Sequence, residues 1–150
     1  MREFVNEAHI EAPPAAVWAV LGEGYGDLGT WARLGASTHL EAPGPVGVGT
    51  TRVVVVPYLG SLRETIVAWE PEHLLVYEVH GLPGLVRSVQ STWTVDAEGE
   101  GTRVRMVSRV TSGWGLAGAL SLKLSAQSIQ SMLGRMVRAL KRRVERGAPA

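Results

Sequence analysis

Apolar and polar residues alternate along much of the chain as far as Thr111, and beyond Gly115 the alternation gives way to a spacing of three and four. Phe4, Asn6, Ala8 and Ile10 would share one face of a first strand, with Val5, Glu7, His9 and Glu11 on the other. Ala12-Pro13-Pro14 stops that strand and opens a helix, because proline has no ladder donor and suits a first helical turn. The spacing predicts a short helix over Pro14 to Leu21, with Val17, Val20 and Leu21 on its apolar side and Gly22 at its cap. A second short helix is expected around Asp27 to Leu34, where Leu28 and Trp31 stand three apart.

Strands follow. Ser37 to Glu41 is a weak one, and the Pro- and Gly-rich stretch from Ala42 to Gly49 is a connection. Thr50 to Tyr58 is so rich in valine that it reads as a strand without a preferred face. Leu62, Glu64, Ile66 and Ala68 alternate with Arg63, Thr65, Val67 and Trp69 in the next, and Leu74 to His80 gives another. The clearest pair is Val89, Ser91, Trp93, Val95 and, across a turn at Asp96 to Gly101, Val104, Met106, Ser108, Val110. The closing stripe of Leu122, Ala126, Ile129, Leu133, Met136, Val137, Leu140 and Val144 predicts one helix from about Gly115 to Arg146. Roughly thirty residues at 1.5 Å each span about 45 Å, enough to cross a sheet. On this reading Ile129→Asp would unfold the domain by placing an unpaired charge in the core, and Gly134 marks a close approach to the sheet or a slight bend. Strands followed by a helix define an α+β class in which one helix crosses a curved antiparallel sheet and leaves space for a ligand.

Composition narrows the partners. The 150 residues, 45% of them hydrophobic, fit a single domain over 1–150. Fifteen basic and 14 acidic side chains give a net charge of +1, which supplies no long-range field for nucleic acid. With no cysteine, disulfides, thiolate metal sites and a cysteine nucleophile are excluded. No apolar stretch approaches the ~20 residues of a membrane span, and the start of the chain already alternates, so the expected location is cytoplasmic.

Several motifs together resemble a known family. Ile10-Glu11-Ala12-Pro13-Pro14-Ala15-Ala16-Val17-Trp18, Trp31, Trp69-Glu70-Pro71 before Leu74-Leu75-Val76-Tyr77, Ser91-Thr92-Trp93-Thr94 and Gly101-Thr102-Arg103-Val104 are similar to the START-related (SRPBCC) superfamily, in particular its polyketide cyclase/dehydrase-like branch. The resemblance covers nearly the whole chain. It implies a helix-grip (Bet v 1/START-like) fold, with a curved seven-stranded antiparallel sheet around the long C-terminal helix and two short helices after the first strand. It also implies a cavity for hydrophobic ligands such as lipids or polyketides, and in some members cyclisation or dehydration of polyketide chains.

Candidate site residues follow from the inward faces. Glu64 stands among Leu62, Ile66 and Ala68, where desolvation would raise its pKa and suit it to acid or base work; a register shifted by one, with Arg63 inward, stays open. Were the protein an enzyme, Glu64 and Tyr77 would carry the chemistry, but no catalytic motif establishes one. Glu78 and His80 share a face, and the more apolar Leu75, Tyr77 and Val79 place that pair toward solvent. For ligand binding the candidates are Trp31, Glu64, Tyr77, Ser91, Trp93, Met106, Ser108, Ile129 and Leu133, the aromatic and sulfur side chains offering flat or deformable surface. The loops Pro57 to Ser61 and Gly81 to Leu85 suit an entrance. Gly44, Gly47 and Gly49 precede a strand and lack a lysine, so they are not a phosphate cradle, and the four histidines lack metal spacing. Arg135, Arg138, Lys141, Arg142, Arg143 and Arg146 gather positive charge near the C-terminus. That charge either touches phosphate or anionic lipid or, more plainly, forms the solvated, dipole-complementing end of the helix. The expected partner is a small hydrophobic or amphipathic molecule, with no cofactor, metal, nucleic acid or integral membrane association, acting on a monomer or homodimer.

Overall fold

Strands β1 (Arg2–Ile10), β2 (Ser37–Leu40), β3 (Thr51–Val56), β4 (Gly60–Glu70), β5 (Leu74–His80), β6 (Val86–Glu98) and β7 (Gly101–Ser112) form one antiparallel sheet in the order β1-β7-β6-β5-β4-β3-β2. They are seen in a computed structural model that describes residues 1–32, 37–57, 60–82 and 84–147. From β2 to β7 each strand pairs with the next, and β1 closes on β7, so the first strand lies beside the last. β6 and β7 are the longest, and they turn through Gly99, whose φ of 61° is the left-handed conformation glycine tolerates. Their inner faces carry the side chains expected of them: Ser91, Trp93 and Val95 face Ser108, Met106 and Val104 in register, all buried.

Two local departures reshape the sheet. β4 carries a bulge between Ile66 and Ala68, so its alternation does not run unbroken. Glu64 and Ile66 turn inward, but beyond the bulge it is Trp69, not Ala68, that meets the core, where its ring lies edge-on to Trp18 with centroids 4.9 Å apart. The first short helix, α1 (Pro14–Trp18), ends sooner than its spacing predicts and opens into one wide turn over Ala19–Glu23. Gly22 lies so close under the Trp18 indole that a Cβ there would overlap the ring. In place of a helix over Asp27 to Leu34, a tighter 3₁₀ helix runs over Tyr25–Thr30 and buries Tyr25 and Leu28; Leu34 lies outside the described residues.

α2 (Gly115–Glu145) begins behind Trp114, itself left-handed at φ 56°, and crosses the sheet with its main contacts on β1. Its two halves differ. The C-terminal half buries Leu133, Met136, Val137, Leu140 and Val144, and Gly134 sits against Asn6 of β1, which is the close approach expected there. Before Ile129, Gly118 and Leu122 alone are buried, while Leu116, Leu120 and Leu124 face solvent. The helix therefore seats at one end and stands off at the other. No helix among the described residues is long and apolar enough to cross a membrane.

Candidate functional site

Standing off the sheet has a consequence: an apolar pocket of about 160 Å³ remains between the N-terminal half of α2 and strands β6 and β7. Val86 and Val110 form its sheet side, and Gly118, Ser121, Leu122 and Ile129 its helix side. Gly118 makes the approach possible at the helix start, because it packs directly on the Gly113 carbonyl. Ile129 is partly buried, packed against the edge of the core, and lines this space. This corrects the expectation for Ile129→Asp: the side chain borders a void, and the fully buried Leu140 is the core position of α2.

Across the sheet from the pocket an apolar row ends in an ion pair. Register pairs carry a row across it from Val110 to Val89 on β6, Val79 on β5, Glu64 on β4 and Arg52 on β3. At its far end Arg52 Nε donates to Glu64 Oε1 at 2.6 Å, with the arginine side chain only 3% exposed and the glutamate 13%. Arg52 also donates to the Tyr25 carbonyl at 3.1 Å. Its guanidinium lies 4.0 Å from the Tyr25 ring centre and 4.7 Å from that of Tyr77, within cation–π range. The Tyr25 hydroxyl donates to the Glu64 carbonyl at 2.9 Å. In the next row Trp93 Nε1 donates to the Tyr77 hydroxyl at 3.2 Å, and Ser91 and Ser108 share a hydrogen bond of 2.9 Å.

The electrostatics follow from burial. Desolvation works most strongly against the Arg52 charge, but the facing Glu64 carboxylate and the Tyr77 and Tyr25 phenols together outweigh it, and the guanidinium's pKa rises above its ordinary value. Burial pushes both the Tyr25 and Tyr77 phenols up, with Glu64 adding to the effect and Arg52 opposing it. All three groups therefore keep their protons at neutral pH.

Glu64 thus faces inward and Arg63 outward, where it pairs with Glu41. The sequence places Glu64 among apolar neighbours alone, and this is corrected by Arg52, whose position in a valine run conceals its role. Tyr25, buried in the glycine-rich Tyr25–Thr30 helix, joins the cluster without a sequence signal. Tyr77, Ser91, Trp93 and Ser108 come together with this pair, Met106 lies beside them on β7, and Leu133 belongs to the packed end of α2. Trp31 does not border the apolar pocket; it lines a separate one at the C-terminal end of α2. Glu78 and His80 lie on the outer side of β5, beside Arg87 and Gln90. The loop positions Tyr58, Leu59 and Pro83 lie outside the described residues.

Residues 1–145 match the family described as polyketide cyclase/dehydrase and lipid transport. The chain belongs to that family. Solved structures agree with its fold: a solution structure from Thermobifida fusca shares 20% identity and a TM-score of 0.75 over 97% of this chain and 95% of that one. A crystal structure from Thermus thermophilus shares 23% identity and a TM-score of 0.74 over 99% and 100%. Ara h 8.0201 shares 15% identity and a TM-score of 0.64 over 95% and 97%. At these identities the likeness establishes the helix-grip, Bet v 1-like architecture alone. Comparison with curated proteins gives no match. Membership of the polyketide cyclase/dehydrase and lipid transport family is consistent with ligand binding, and in this member the space between α2 and the sheet is the apolar pocket beside Val110 and Ile129.

Proposed function

We propose that the protein binds a small hydrophobic or amphipathic molecule, of lipid, polyketide or aromatic type, between α2 and the sheet. The observation that carries this reading is the apolar pocket at the raised end of α2, linked by register through Val110, Val89 and Val79 to the ion pair of Glu64 and Arg52. Its volume of about 160 Å³ is close to the roughly 150 Å³ at which an apolar protein cavity takes up a benzene-sized guest. One ring or a short acyl segment fits without moving the helix. A longer ligand would lift the N-terminal half of α2, which the few buried side chains there make inexpensive relative to the seated half.

Polyketide cyclisation or dehydration by acid–base chemistry in the same space is the second reading, drawn from the family's description. It receives less support. Glu64 is held by Arg52 and so presents no free carboxylate, and the Tyr77 hydroxyl lies buried where it accepts from Trp93. An apolar fluorescent probe tests the first reading: it should bind one-to-one and raise the melting temperature by mass action, and Ile129→Trp, which fills the pocket, should abolish both effects. Unchanged binding in that variant would move the ligand elsewhere. Turnover of a polyketide-like carbonyl compound lost in Glu64→Gln, with binding kept, would favour the enzyme.

A further inference from the structure

The second pocket, about 270 Å³ in volume, lies where the end of the Tyr25–Thr30 helix meets the last turns of α2. Its lining includes Thr30, Trp31 and Ala139 and three arginines, Arg142, Arg143 and Arg146. Among the described residues no carboxylate lines it and none of the three arginines forms an ion pair.

Two details set this apart from an ordinary basic helix end. Three buried side-chain polar atoms among the described residues lack a hydrogen-bond partner, and two of them, Trp31 Nε1 and Arg143 Nε, belong to side chains lining this one pocket. Trp31 is only 6% exposed, so its N–H has little recourse to bulk water. Both atoms are donors, and a buried donor without an acceptor is unfavourable. Capping of the helix does not explain the arginines either, since the Arg142 and Val144 carbonyls already accept from the backbone N–H groups of Arg146 and Gly147 at 3.1 and 3.0 Å. The residual dipole at a helix C-terminus amounts to roughly half a negative charge, well below the three positive charges beside it.

We infer that this pocket is an anion site that binds a phosphoryl group through Arg142, Arg143, Arg146 and the Trp31 N–H. A phosphoryl group fits the donor set better than a carboxylate does. One guanidinium fork satisfies both oxygens of a carboxylate, whereas three guanidinium groups and an indole N–H call for the additional acceptor oxygens and greater charge of a phosphoryl dianion. The site is separate from the apolar pocket and does not depend on the reading given above.

Calorimetric titration of the full chain with inorganic phosphate, against acetate at equal ionic strength, tests the assignment. Phosphate should bind one-to-one and acetate at least about tenfold more weakly. Arg143→Gln should weaken phosphate about tenfold or more. Arg146→Gln, at an exposed position that the fold does not need, should weaken it by a few-fold, and Trp31→Phe, which removes the N–H together with part of the buried ring, should do likewise. Phosphatidylcholine vesicles with and without phosphatidic acid separate the sources of the group. Retention by the phosphatidic acid vesicles alone, lost in both arginine variants, would assign the phosphoryl of a lipid headgroup even if free phosphate bound weakly. Ile129→Trp should leave phosphate binding intact, so failure of the apolar site and failure of this one are distinct results. Equal responses to phosphate and acetate with no preference for phosphatidic acid, or binding untouched by both arginine variants, would overturn the inference.

Discussion

Arg52 and Glu64 are cross-strand partners in register on β3 and β4, joined at 2.6 Å on the inner face of the sheet. The pair costs desolvation to form, and its value depends on both members being present. Glu64→Gln leaves the guanidinium buried between two tyrosine rings without its counter-charge. Urea denaturation should show a loss of about 3 kcal/mol, the lower part of the range for breaking a buried pair, because Glu64 retains slight exposure. The double variant Arg52→Met, Glu64→Leu should recover most of that loss. A single variant as stable as the parent would show that the ion pair contributes nothing.

Alkaline pH acts on the same cluster through its phenols. Tyr25 and Tyr77 hold their protons to higher pH folded than unfolded, first because of burial. Above the ordinary phenol value of about 10 the unfolded chain loses protons that the native state keeps, so stability is fully present below that pH and falls as pH rises past it. Absorbance at the tyrosinate band should therefore show these two residues ionising together with loss of the near-ultraviolet circular dichroism signal. Their ionisation in a protein that remains folded would contradict the packing around Arg52.

How far the sequence discloses this arrangement depends on the element. Trp93, Ser91, Met106 and Ser108 are legible because β6 and β7 alternate cleanly and one face of each is apolar. Arg52 is not, since the four valines that follow it erase the contrast between faces. The bulge in β4 reassigns Trp69 without any residue type that announces it. Tyr25 belongs to a glycine-rich segment whose 3₁₀ turns have no amphipathic stripe to read. The exposed leucines of α2 show why the pocket itself was hidden: periodicity marks which positions are apolar, whereas the gap depends on how far the helix stands from the sheet, set by backbone contacts such as that at Gly118.

That contact gives a prediction of its own. A Cβ at Gly118 would overlap the Gly113 carbonyl oxygen, a backbone atom that cannot swing aside. Gly118→Ala should therefore destabilise the protein by about 1–3 kcal/mol despite alanine's better helix propensity, as overpacking does. Thermal denaturation measures it, and a stabilised variant would mean that the start of α2 adjusts freely.

Leu140 and Ile129 should separate folding from binding along a single helix. Leu140 is fully enclosed, so Leu140→Ala removes packed atoms from the seated half of α2 and should cost about 2–5 kcal/mol. Ile129 borders the pocket with part of its surface open, and Ile129→Asp brings a carboxylate that can reach water. The smaller stability loss should therefore fall to Ile129→Asp, while apolar probe binding, dependent on an apolar wall, should fall far more in that variant than in Leu140→Ala measured below its melting temperature. Denaturation curves and probe titrations on the two proteins decide the matter. The opposite ordering in both measurements would place Ile129 in the load of the fold and remove it from the pocket.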